Sequence, residues 1–197
     1  MSTAEQPYLA PSDYLDLERT SLNTKHEYHA GEMFSMAGAS YAHNLIGTNL
    51  SRFFGNALAD TQCVVLASDM RVKVDPTGLY TYPDLVIACE KPTFEDEHVD
   101  TLLNPQVIIE VLSDSTESYD RGKKFEHYRQ IESLREYLLV SQDHAHVDRF
   151  VRGDDGDWRL TDATGLNASI TVATIDVPLP LAEVYAKVDL PPATDAG

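Results

Sequence analysis

Two apolar stretches decide how this chain folds: Tyr82-Pro83-Asp84-Leu85-Val86-Ile87-Ala88 and, further on, Val107-Ile108-Ile109-Glu110-Val111-Leu112-Ser113. Each is a short, continuous run of β-branched and aliphatic residues, the pattern of a strand covered on both faces. Each also carries one carboxylate. Pro83 excludes helix before Asp84, so that acid stands at the mouth of its strand, whereas Glu110 lies inside its own. A charge in a Val/Ile run is costly unless it is paired or holds a metal ion. Spacing alone allows both explanations: acids at a sheet edge answered by Arg or Lys, or two carboxylates converging on one Mg²⁺.

Further strands are expected over 62–67, 70–74 and 135–141, with a hairpin formed by 146–152 and 158–160 around Gly153-Asp154-Asp155-Gly156-Asp157. His26 to Met36 reads as an N-terminal β-hairpin turning at Ala30-Gly31. Between Ser40 and Leu58 apolar residues recur every three or four positions, with Ser40 as cap, which predicts a long helix. A short helix is expected over 11–18 with Ser12 as cap, and another over 120–131. Glu90 to Asp100, with five acids, reads as a solvated loop. The fold class expected is α/β (α+β): a mixed central sheet flanked by helices. A single domain over 12–188 is expected, with an N-terminal tail at 1–11 and a disordered C-terminal tail at 189–197.

The composition, 43% hydrophobic and 24% charged, is that of a globular chain. No stretch reads as a signal peptide or a membrane span, so a cytoplasmic protein without membrane contact is expected. Cys63 and Cys89 sit in strand-like runs and read as reduced core thiols. The formal charge of −17 argues against a protein that coats nucleic acid, whose affinity comes from Lys and Arg. It leaves room for an enzyme that meets phosphate with a metal ion and a few local cations. His144 and His146 have no further ligand at zinc spacing and read as surface residues. His26 and His29 flank Glu27 in the hairpin, from which they could approach a site.

Pro83-Asp84, Glu110-Val111-Leu112-Ser113-Asp114-Ser115-Thr116, Asp120-Arg121-Gly122-Lys123-Lys124 with Tyr128, and Glu136-Tyr137-Leu138-Leu139-Val140 resemble the Uma-two family of restriction endonucleases, a branch of the PD-(D/E)XK nuclease superfamily. The likeness runs from about Tyr14 to Tyr185, and Ser68-Asp69-Met70-Arg71-Val72 and His43 match it too. It implies a restriction-endonuclease-like fold and Mg²⁺-dependent hydrolysis of phosphodiester bonds, with Mn²⁺ a possible substitute. The partner implied is nucleic acid, DNA ahead of RNA, and a homodimer is expected from the exposed edge and apolar side chains of the hairpin. The superfamily's Glu-X-Lys motif is broken, because Leu112 stands where lysine belongs. The resemblance implies that Lys124 takes that role, with Lys123 as fallback and Tyr128, four residues on, orienting it. It also implies Asp84, Glu110 and the Val111 carbonyl as metal ligands, Asp69 as an outer or second-metal carboxylate, and His43 as a residue lining the site. Glu27 is a further accessory residue. Two other readings stay open: a nuclease fold that binds or regulates without catalysis, and a metal-dependent hydrolase of a small phosphorylated molecule.

Overall fold

The computed structural model describes residues 8–191. In chain order its elements are α1 (Pro11–Thr20), β1 (His26–His29), β2 (Glu32–Ser35), α2 (Tyr41–Ala57), β3 (Val64–Ala67), β4 (Arg71–Val74), β5 (Leu79–Thr81), β6 (Leu85–Ala88), β7 (Thr101–Leu102) and β8 (Val107–Val111). There follow α3 (Glu117–Tyr119), a π-helical turn (Asp120–Lys124), α4 (Phe125–Tyr128), β9 (Glu136–Val140), β10 (His146–Arg152), β11 (Trp158–Thr164), β12 (Ser169–Val172), β13 (Val177–Pro180) and α5 (Leu181–Val184).

The two deciding stretches become neighbours, as β6 and β8 pair antiparallel at the centre of a six-stranded sheet ordered β11-β10-β9-β8-β6-β3. Only β8 and β9 run parallel in it, so the sheet is mixed. Alternation sends Leu85, Ile87, Val107, Ile109 and Val111 to one face, against Ile46, Leu50 and Phe54 of α2. Val86, Ala88, Ile108 and Leu112 face Tyr128, Ile131 and Leu134 on the other side. Covering on both faces explains why these strands read as unbroken apolar runs. Ser40 caps α2 by accepting the His43 N–H at 3.1 Å, which fixes the helix start beside the mouth of β6.

A second sheet, ordered β2-β1-β5-β4-β7, holds the N-terminal hairpin. That hairpin turns on Ala30 and Gly31, both at positive φ (51° and 90°), the two-residue geometry that suits the strand twist. α1 and this sheet enclose a small aromatic core of Tyr14, Tyr28 and Tyr80.

Several sequence expectations need correction. The 120–131 helix is interrupted: the π turn at Asp120–Lys124 separates two short α segments. α1 starts at Pro11 after Ala10, and Ser12 does not cap it. Within the expected N-terminal tail the Leu9 N–H bonds the Gly31 carbonyl at 3.1 Å; residues 1–7 and 192–197 lie outside the described part. The acidic loop is not merely solvated. Its Asp96 and Asp100 hold Arg19, and its Glu95 holds Lys73. Cys63 and Cys89 are joined in a disulfide, because Val64 pairs with Ala88 and the cysteines are the next residues in that antiparallel register.

Candidate active site

The register that aligns Leu85 with Ile109 sets Asp84 opposite Glu110, one step beyond the end of β6. A backbone N–H of each strand faces the carboxylate of the other. The Val111 N–H donates to Asp84 Oδ2 at 2.7 Å, and the Asp84 N–H points at Glu110 Oε2 at 3.4 Å. Glu110 shares the strand face of Ile108 and Leu112, where Tyr128 donates its hydroxyl to Oε1 at 2.8 Å.

Lys124 closes the group. Its Nζ lies 2.8 Å from Glu110 Oε1, 3.4 Å from Glu27 Oε1 and 3.5 Å from Asp120 Oδ1. The π turn brings Asp120 and Lys124 inward together, a distortion of the kind often found at functional positions. Tyr128 therefore serves differently from the sequence expectation: its hydroxyl orients Glu110, and its ring lies 5.9 Å from the Lys124 ammonium. His43, in the first turn of α2, sets Nε2 3.3 Å from Asp84 Oδ2.

Four carboxylates, those of Asp84, Glu110, Asp120 and Glu27, thus surround two basic groups, Lys124 and His43. Burial pushes the Glu110 carboxyl up to about 8, with Asp120 and Asp84 adding to the rise against the pull of Lys124. Burial also raises Asp120. Burial alone would discharge Lys124, yet the charge of Glu110, then those of Tyr128, Glu27 and Asp120, hold its pKa well above the ordinary value. For His43, burial is likewise outweighed by the hydrogen bond and charge of Asp84 and by the Val111 carbonyl, and its pKa rises. All these shifts have one source: an acid-rich pocket poor in water holds cations and protons tightly.

Those features suit a divalent cation. Among the described residues, no three His, Cys, Asp or Glu side chains form a ready-made metal cage. Mg²⁺ does not need one, since it takes one or two carboxylates and keeps several waters. Asp84 Oδ1 accepts no hydrogen bond among the described residues, and Glu110 Oε2 has only the long contact from Asp84 N. Each carboxylate therefore keeps an oxygen for a cation, in a cluster with surplus negative charge.

The site opens into a cleft of about 890 Å³. Of the sequence candidates, Asp84, Glu110, Val111, Lys124, His43 and Glu27 all line it, and Tyr128 backs Glu110 from the core. Asp69 does not belong: it sits on an exposed turn, ion-paired with Lys25. Lys123 is exposed and points away from the group, so it does not serve as the fallback cation. His26 pairs with Glu18 and His29 with the ring of His127, and neither reaches the cleft. Asp120 was missed as a site residue, although its place four residues before Lys124 on a predicted helix was a usable signal.

The architecture is one already seen in a solved structure. It superposes with a TM-score of 0.73 on the "Crystal structure of a putative nuclease belonging to DUF820" from Anabaena variabilis, covering 88% of this chain and 96% of that one at 14% identity, a likeness of fold. The chain belongs to the Uma2 family, described as "Putative restriction endonuclease", whose profile matches residues 11–181. Two uncharacterized proteins of a Synechocystis strain are similar along most of their length. One, sll1609, is 37% identical over 170 residues, 86% of this chain and 96% of its own. The other, slr1290, is 37% identical over 158 residues, 80% of this chain and 82% of its own.

Proposed function

We propose that the protein is a Mg²⁺-dependent endonuclease that hydrolyses phosphodiester bonds in nucleic acid, with DNA the preferred substrate. The observation that carries this reading is the convergence of Asp84 and Glu110 across β6 and β8 with the Lys124 ammonium 2.8 Å from Glu110. Asp84, Glu110 and the Val111 carbonyl would hold Mg²⁺, with Mn²⁺ as a substitute. Once bound, the ion would supply a nucleophile by lowering the pKa of a water and would polarise a phosphoryl oxygen.

The chain's own residues do the rest. Lys124, kept charged by its carboxylates, orients the attacking water and offsets negative charge that develops on the phosphoryl oxygens. Tyr128 and the Val111 N–H hold the two carboxylates in place without occupying their free oxygens. His43 keeps Asp84 turned toward Glu110. Lys124, with a metal ion if one is bound, would meet the phosphate locally, so the −17 charge of the chain would weaken long-range attraction without disabling the site. The hairpin edge at β2, whose backbone groups are unpaired on one side, supports a homodimer as the working form. Among the described residues no helix is long and apolar enough to cross a membrane.

Cleavage of single- and double-stranded DNA and of RNA, with Mg²⁺, Mn²⁺ or chelator, tests this reading. We expect metal-dependent nicking that Asp84→Ala reduces by at least about 10²-fold. Metal binding without cleavage of any nucleic acid would favour the binding-module alternative. Turnover of small phosphate esters alone would favour the small-molecule hydrolase.

A further inference from the structure

The β1–β2 hairpin forms one wall of the cleft, and its register determines which side chains face the site. Glu27 pairs with Phe34 and His26 with Ser35, and a 2.9 Å bond from Met36 N–H to the Lys25 carbonyl extends the ladder by one step. Side chains alternate along strands, and directly opposed residues share a face. Lys25, Glu27, Phe34 and Met36 therefore share one face, and all four line the cleft. The other face sends Tyr28 and Met33 into the aromatic core.

Glu27 has an evident partner in Lys124. Among the described residues Phe34 has none: it is 48% exposed and belongs to none of the buried clusters. An aromatic ring thus lines the same cleft as Asp84 and Glu110, open to whatever enters.

Two further observations narrow what that is. The reactive groups are recessed, with Glu110 only 3% and Lys124 only 5% exposed at the base of the cleft. A duplex is a stiff rod, whereas an unpaired strand can bend into a recess and turn its bases outward to stack. The electrostatics agree. Duplex affinity rests on cations that replace counterions, but both lysines of the cleft are already neutralised, Lys25 by Asp69 and Lys124 by its carboxylates. Base stacking depends far less on net charge.

We infer that the substrate strand enters unpaired and stacks a base on Phe34, beside Met36, as its phosphodiester reaches Asp84 and Glu110; this rests on the nuclease reading above. The test is binding of labelled single-stranded and duplex DNA of one sequence to the full chain, read by fluorescence anisotropy. Ca²⁺ replaces Mg²⁺, because it suits the same oxygen donors. The single strand should bind more tightly. Phe34→Ala should weaken that binding on the order of tenfold, Phe34→Trp should preserve it, and neither should alter thermal unfolding, since Phe34 packs against no core. Equal or tighter binding of duplex, or wild-type binding by Phe34→Ala, would overturn the inference. A single strand held through Phe34 but never cut with Mg²⁺ would leave this inference standing and remove the nuclease reading. A duplex bound and cut in preference would do the reverse.

Discussion

Two buried charge clusters tie the five-stranded sheet to its surroundings, and they are built on opposite plans. In the first, at α1, Arg71 donates to Tyr82 at 2.9 Å and reaches Asp100 at 3.0 Å, Arg19 holds Asp96 and Asp100, and Glu18 accepts from His26 and Tyr82. Every carboxylate oxygen of Glu18, Asp96 and Asp100 is answered by a hydrogen bond or an ion pair. Its Asp100 carboxyl is accordingly held well below the usual carboxylate range by Arg19 and Arg71. In the second, four acids share Lys124 and His43, carboxylate oxygens stay free, and Glu110 is driven up to about 8 by burial and by its acidic neighbours. Both clusters bury a cation, Arg71 in the first and Lys124 in the second, so burial alone does not distinguish scaffold from site. Unanswered carboxylate oxygens do.

The largest expected effects come from removing one cation from each. Arg71→Ala should cost about 3–5 kcal/mol, the scale for breaking a buried pair, with cleavage by the folded fraction unchanged. Lys124→Ala should cost less stability, about 1–3 kcal/mol, because Glu110 can take up a proton, yet should lower the rate on the order of 10²-fold. The loss of stability follows from the burial of Lys124 against three carboxylates. Urea denaturation and single-turnover cleavage of both variants check the pair. Equal losses of rate per folded molecule would erase the distinction between the clusters.

How far this was legible in the sequence follows the same division. The central strands were readable because a doubly covered strand leaves no polar face, and Asp84 and Glu110 stood out because they interrupt such runs. α2 was readable from its period and its serine cap. What failed depended on partners distant in sequence. Nothing local says that Val64 pairs with Ala88, and without that register the Cys63–Cys89 bond is invisible. Asp69 looked like a site residue from its motif, but the turn after β3 sends it to solvent. Thr101 to Leu102, Ser169 to Val172 and Val177 to Pro180 are strands too short or too polar to announce themselves. Glu27 could be suspected, though its reason, an ion pair across 97 residues of sequence with Lys124, is purely tertiary.

Acid should separate the clusters next. The folded Glu110 carboxyl sits at about 8 against 4.5 ordinarily, so between those values the folded state binds its proton more tightly than the unfolded chain does. Stability from this group is therefore greatest in acid and falls as pH rises from about 4.5 to about 8. Asp100 has the opposite sign: its pKa is lowered from 3.8, so its contribution is present above that value and is lost as pH falls below it. Denaturation of the parent and of Glu110→Gln at about pH 5 and about pH 8 isolates the site. The parent should lose more stability than the variant toward the higher pH, and Mg²⁺ should reverse that loss by favouring the carboxylate. Identical pH slopes in the two proteins would mean that Glu110 titrates as an ordinary acid.

The smallest effect expected is also the most specific, because it asks whether the site needs a cation at one location or only one more positive charge. Leu112 lies two residues beyond Glu110 and one past the end of β8, buried on the same side of the sheet and packed in the cluster that contains Tyr128. Alternation therefore aims position 112 to the side where Lys124 meets Glu110. Leu112→Lys alone should destabilise the protein, since it buries an ammonium where Lys124 already satisfies the carboxylates. In the Lys124→Ala background the same change supplies a cation to a pocket left with four acids and one histidine. There it should recover stability and about tenfold in rate, part of the loss of one positioned donor. As a control for charge alone, Lys124→Ala with Ser113→Lys adds a cation at the exposed cleft wall, on the other side of the strand alternation. Single-turnover rates of the two double variants decide the matter. Equal rescue by both would show that the acid-rich cleft merely lacks charge, and that Lys124 holds no privileged position beside Glu110.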